Sequence, residues 1–360
     1  MISVGIAQPW GNTTGQGATV PSAGSAGMQP ARTPAVATSS AARRPSPQTA
    51  RANAFVRTHL GRAEALGRSL ARDTGNPDAL ARVLDRGLAT LADPAYLAGQ
   101  RLVAPGIGPL HGVRRPLLDA IDHAFAHATD DTSTDLLLRV AARLVRDERQ
   151  EPRWLAMGLL ERTIGRDPER SWQLIRLAAR EAGDWIAVDT LARPVAIGIL
   201  NEPFRWAELE QLAFSPSRWE RRLIGSAVAT IPHVGQAGRQ AAIARHSLPL
   251  LAQLMGDAEP DVQKAIGWAY RSLLRVDALA VEAALRTEAT IAAQWQDGHR
   301  AWVIRDTLAK LPPTAAAELR AGLTGLRRRA GTPATSSAAR TAAAFGVLPD
   351  PAAHPQPPLF

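Results

Sequence analysis

Tryptophan, arginine and aspartate meet at helical spacing in three segments of this chain. Eight of the nine Trp lie between Trp154 and Trp302. In DVQKAIGWAYRSLLR, Val262, Ala265, Ile266, Ala269 and Leu273 form one apolar stripe, while Lys264, Trp268, Arg271 and Arg275 fall on the opposite side. An indole among cations can meet a sugar, a base or a phosphate backbone, or it can pack against the neighbouring helix. In GDWIAVDTLA, Trp185 and Asp189 are four residues apart and share a helix face beside the stripe Val188, Leu191, Val195 and Ile199. Taken alone, Asp189 equally suits an ion pair with an arginine of the next helix. In SPSRWERRLIGSAVA, Leu223, Ile224 and Ala227 point one way, and Arg218, Arg222, Gly225, Ser226 and Ala229 roughly the other. Small residues around an arginine allow something large to approach, although a solvated arginine on an exposed face fits as well.

Other chemistries find no support. His123 and His127, with Asp119 one turn earlier, have metal-ligand spacing, but there is no His-Glu-x-x-His and no Cys, so they read as helix-surface histidines and no metal is expected. There is no Gly-rich phosphate loop ending in Lys-Ser/Thr, and no Gly-x-Ser-x-Gly elbow. No cofactor is expected.

The elements that must position these residues are helices. Leu137, Val140, Ala141 and Leu144 recur at helical spacing after Ser133 and Thr134, which suit a cap. Similar segments follow to about residue 327, punctuated by Pro168, Gly183, Pro203, Pro216, Pro260 and Pro312. Pro194 falls inside one of them and should kink or split it. No strand pattern is present. Short antiparallel helices with a loose period near ~35–45 residues predict an all-α, HEAT/armadillo-like helical-repeat solenoid. Its concave face would suit duplex DNA or a protein partner.

Residues 1–52 and 329–360 are rich in Ala, Ser, Thr, Gly and Pro and are expected to be disordered tails around a repeat domain at 53–328. The formal charge is +9, but residues 1–52 carry +4 and residues 327–360 carry +3, leaving +2 for the body. A DNA-binding face must therefore come from local clusters of arginine. The absence of Cys excludes disulfides, and no apolar run approaches the ~20 residues of a membrane span. A cytoplasmic, nucleoid-associated, monomeric protein is the expectation.

Together the three segments resemble the DNA alkylation repair family of HEAT-like repeat alkylpurine DNA glycosylases, the AlkD type. KAIGW within DVQKAIGWAYRSLLR, the Trp-x-x-Val-Asp of GDWIAVDTLA, and RWERRLIG carry the resemblance, which spans roughly residues 100–310. Asp184 and Ile186 depart from it, since the family often has a second Trp and an acid there, and residues 53–100 match poorly. The resemblance implies excision of cationic N3- or N7-alkylated purines from double-stranded DNA by base removal without strand cleavage. It places Asp189, Trp185 and Trp268 at the reacting sugar, with Asp189 stabilising an oxocarbenium-like transition state. It gives Arg222 to a phosphate, and the helix faces read above add Lys264, Arg271 and Arg218 as further phosphate contacts. The alternatives are a catalytically silent DNA-binding member, a protein-binding scaffold, and a specialised enzyme for bulky natural-product adenine adducts.

Overall fold

The computed structural model describes residues 46–104 and 106–344. The tail segments 1–45 and 345–360 lie outside the described residues. Sixteen α-helices are present among the described residues: α1 Pro47–Leu70, α2 Pro77–Thr90, α3 Pro94–Val103, α4 Arg115–Ala128, α5 Thr134–Val145, α6 Gln150–Thr163, α7 Pro168–Arg180 and α8 Trp185–Asn201, then α9 Arg205–Gln211, α10 Arg218–Thr230, α11 Ala241–Leu254, α12 Pro260–Leu273, α13 Ala278–Trp295, α14 Gly298–Thr307, α15 Pro313–Gly322 and α16 Ser337–Ala344. The only β pairing among them is one isolated bridge, Ala92 with Val113.

Local chemistry sets the helix starts. Asn76, Asp93, Ser133, Asp167, Asp184, Ser217, Asp277 and Asp297 each accept a backbone N–H of the following first turn. Proline occupies the first turn of α2, α3, α4, α7, α12 and α15, where its missing N–H has no helical partner to lose.

The chain divides into two compact units, Met1–Arg57 and Thr58–Phe360. In the first, residues 47–52 are helical, which the tail expectation had missed. Ser46 Oγ accepts the Thr49 N–H at 3.2 Å, and alanines continue the helix. Low hydrophobicity suggested disorder there, yet Ala is the strongest helix former.

The second unit is an all-α helical-repeat solenoid of two layers. Helices α4, α6, α8, α10, α12 and α14 pack side by side in that order, α5, α7, α11 and α13 pack on them, and α15 packs on α13. The predicted stripes Val188, Leu191, Val195, Ile199 and Val262, Ala265, Ile266, Ala269, Leu273 are buried. Helix α8 runs through Pro194 without the expected split, because α6, α7 and α10 hold it on several sides.

Helix α10 corrects another expectation. Gly225, Ser226 and Ala229 were read as an open face, but all are buried. The large group that approaches them is the next helix: a Cβ on Gly225 would stand 2.7 Å from the Ala265 carbonyl carbon. Gly225→Ala should therefore destabilise the fold by about 1–3 kcal/mol, because backbone on both sides must give. Urea unfolding checks this, and an unchanged midpoint would contradict the close approach.

Candidate active site on the even-numbered helices

In the layer of α4, α6, α8, α10, α12 and α14, positions can be counted from each helix's cap. The fifth residue after each cap is Asp119 in α4, Trp154 in α6, Asp189 in α8, Arg222 in α10, Lys264 in α12 and Trp302 in α14. The ninth is Ser226 in α10, Trp268 in α12 and Asp306 in α14. Side by side on adjacent helices these positions make a row across the layer, and within it Asp189, Arg222 and Ser226 are in direct contact.

The centre of the row is an ion pair. Arg222 Nη2 donates to Asp189 Oδ2 at 2.8 Å, and its Nε donates to Asp189 Oδ1 at 3.1 Å. Ser226, one turn beyond Arg222, donates its hydroxyl to Asp189 Oδ1 at 2.6 Å. Arg222 Nη1 donates to the Asp261 carbonyl oxygen in the first turn of α12 at 2.6 Å. Its guanidinium carbon also stands 5.9 Å from the centroid of the Trp185 ring. One arginine thus ties α8, α10 and α12 together beneath an indole. The Asp189 side chain is 14% exposed and that of Arg222 6%. A carboxylate has about four acceptor positions, and these three donors leave one on Oδ2, at a partly open edge.

Arg222 was expected at a phosphate; in this structure its Nε, Nη1 and Nη2 each donate to Asp189 or Asp261 from a buried position, and it holds Asp189 in place. Ser226 was not singled out as a partner, although its place four residues after Arg222 put it on the same helix face.

The remaining expected residues separate. Trp268 is half-buried on α12 at the level of Ser226, and among the described residues no hydrogen bond or ring contact joins it to Trp185 or Asp189. Lys264 is exposed one turn before it. Arg271 points to the next helix, donating to the Asp306 carboxylate and, at 3.0 Å, to the Asp306 carbonyl. That ion pair links α12 to α14. Arg218 is 49% exposed, stacks on the Trp219 ring at 4.6 Å and stands 3.6 Å from Glu259.

Asp184 explains how Trp185 comes to open helix α8. Its Oδ1 accepts the N–H groups of Ile186 at 2.8 Å and Ala187 at 3.0 Å. Burial pushes its carboxyl group above the ordinary value, and the two N–H donors oppose that only in part. His123 and His127 are exposed on α4. Among the described residues no cluster of three or more His, Asp or Glu side chains could hold a metal, and no helix is long and apolar enough to cross a membrane.

A repeat solenoid carrying an Asp–Arg–Trp cluster across adjacent helices defines a class, and comparison with known families narrows it. The model of the DNA alkylation repair enzyme family matches residues 84–310, well over half of the chain and the whole of this row. The chain belongs to that family, and its role lies in the repair of alkylated DNA. No curated protein and no solved structure matches it.

Asp184→Asn tests the capping account through pH. Asn caps as well as Asp but carries no charge to desolvate. Because the folded-state value of Asp184 is raised, the native state holds its proton more tightly than the unfolded chain. Wild-type stability therefore declines as pH rises through and above 3.8, the ordinary value. In urea unfolding between about pH 3 and pH 7, the stability of Asp184→Asn relative to wild type should rise with pH and then level. A gap that moves the other way contradicts the account.

Proposed function

We propose that this protein is a monofunctional DNA glycosylase that hydrolyses the N-glycosidic bond of cationic N3- and N7-alkylated purines in duplex DNA. The observation that carries the reading is the Asp189 carboxylate, fixed by Arg222 and Ser226, with one acceptor position left and the Trp185 ring over the same guanidinium.

Alkylation at N3 or N7 gives the purine a formal positive charge, so it leaves as a neutral base with the electron pair of the C1′–N bond. Little general-acid assistance is needed. The charge passes to the deoxyribose as an oxocarbenium-like cation, and the catalytic demand is to stabilise that cation and guide water to C1′. Asp189 supplies the negative charge, and Trp185 and Trp268 supply indole faces for sugar and backbone. Water adds its oxygen to C1′, and its proton passes to Asp189 or to solvent. Lys264 and Arg218, both exposed, meet phosphates. The products are a free alkylpurine and an abasic strand that remains intact.

The ion pair does not cancel the effect, because its two ends stand at different distances from the sugar. At an effective dielectric of about 20, a carboxylate ~4 Å from the cation contributes about −4 kcal/mol, and a guanidinium about twice as far away returns about 2. The net ~2 kcal/mol corresponds to roughly 30-fold in rate.

Asp189→Asn removes the carboxylate's ~4 kcal/mol and leaves the guanidinium's repulsion, so it should slow single-turnover release of N7-methylguanine from a duplex by about a thousandfold while leaving duplex affinity nearly intact. Hot alkali converts each abasic site to a strand break that gels quantify. Unchanged excision by the variant sinks the assignment of Asp189. Salt-sensitive binding without any excision by wild type would favour a silent DNA-binding protein.

A further inference from the structure

The C-terminal stretch after α15 was expected to be a loose tail from residue 329, yet residues 327–344 are laid against the repeat layer. The anchors are polar. His299, 5% exposed at the start of α14, pairs through Nε2 with Thr332 Oγ1 at 2.8 Å and with the Thr332 carbonyl at 3.1 Å. The Thr335 N–H donates to the Gly256 carbonyl at 2.8 Å, and its hydroxyl donates to Asp297. Ser336 and Ala338 are buried. Gly298 has no side chain where the Arg327 carbonyl crosses, and a Cβ there would collide with it. This strap lies beyond the span of the family match, which ends at residue 310.

The strap brings a run of three arginines to the row. Arg328 Nη1 donates to Gln263 Oε1 at 2.7 Å, and its guanidinium carbon stands 5.0 Å from the Trp302 ring centroid. Gln263 neighbours Lys264, and Trp302 is the α14 member of the row that holds Asp189 and Arg222. Arg327 and Arg329 flank that anchor and are exposed. Among the described residues, no carboxylate lies within ion-pair distance of Arg327, Arg328, Arg329 or Lys264. Four cations with no acidic counterpart among the described residues, three of them on a strap that His299 anchors through Thr332, are laid out for a polyanion.

We infer that the strap is a phosphate clamp for the duplex arm on one side of the lesion, with Arg327 and Arg329 as its contacts and Arg328 as its anchor. The inference rests on the glycosylase reading for the placement of the lesion at Asp189. Neighbouring helices pack about 8–10 Å apart, so the strap at α12 and α14 stands roughly 20–30 Å along the row from α8. At ~3.4 Å per base pair this is roughly six to nine pairs from the lesion. Each phosphate neutralised contributes close to one unit to the slope of log affinity against log salt.

The test uses the full chain and its Arg327→Gln/Arg329→Gln variant, with the charge-reversed Glu/Glu variant beside it. Binding is measured across salt concentrations on a duplex with one N7-methylguanine and both arms about a dozen pairs long, then with either arm trimmed to about four pairs. The expected result is a salt slope shallower by about two on the long duplex, affinity about tenfold lower near physiological salt, and a larger loss for Glu/Glu. Wild type and variant should bind alike once the arm on the strap side is trimmed, whichever strand polarity that proves to be. An unchanged slope on the long duplex, or the same loss with either arm trimmed, overturns the clamp while wild-type excision leaves the glycosylase reading standing. Wild type that neither binds nor excises overturns both.

Discussion

A buried arginine that joins its own helix to two others is the constraint on which the site depends. Arg222 reaches Asp189 on α8 and the Asp261 carbonyl on α12 from its own place on α10. Taking a guanidinium out of water is costly, and the cost is offset only when its donors are met with good geometry. Here both sides benefit: Arg222 is satisfied by its neighbours, and Asp189 is fixed by donors that do not depend on a bound ligand. The carboxylate therefore needs no rearrangement when a positive charge develops near it, which is where electrostatic catalysis gains most.

The register of the solenoid makes that pin possible. Asp184 caps α8, Ser217 caps α10 and Glu259 stands at the cap position of α12, so the same height on successive helices recurs at the fifth and ninth residues. Gly225 lets α10 and α12 approach closely enough for Arg222 to span them. Caps, a glycine and an ion pair act at different scales toward one outcome. Residues from GDWIAVDTLA, RWERRLIG and DVQKAIGWAYRSLLR reach a single face.

Much of this was legible in the residues. The helical period, the proline and glycine punctuation and the buried stripes of α8 and α12 follow directly from spacing, and the family resemblance rested on segments that the structure brings side by side. Contacts between helices were not legible. A stripe on a helical wheel shows which residues share a face but not what lies opposite, so Gly225, Ser226 and Ala229 read as open when α12 covers them. Arg222 read as a phosphate ligand for the same reason. The strap escaped notice because Thr332, Thr335 and Ser336 are held by polar groups, whereas the expectation of disorder measured only a lack of large apolar residues. Asp184 looked like a departure from the family pattern, and its value as a cap emerges only with the turn it closes.

The central claim is that Ser226 and Arg222 act through Asp189 and not on the substrate. A double-mutant cycle on single-turnover excision addresses it most directly, with Ser226→Ala measured in the wild-type and in the Asp189→Asn backgrounds. A hydrogen bond to a charged group is worth about 1.5 kcal/mol. Ser226→Ala should thus slow excision about tenfold in the first background and hardly at all in the second, with duplex affinity unchanged in both. An equal loss in both backgrounds would contradict the account, because Ser226 would then serve the reaction by a route that does not pass through Asp189.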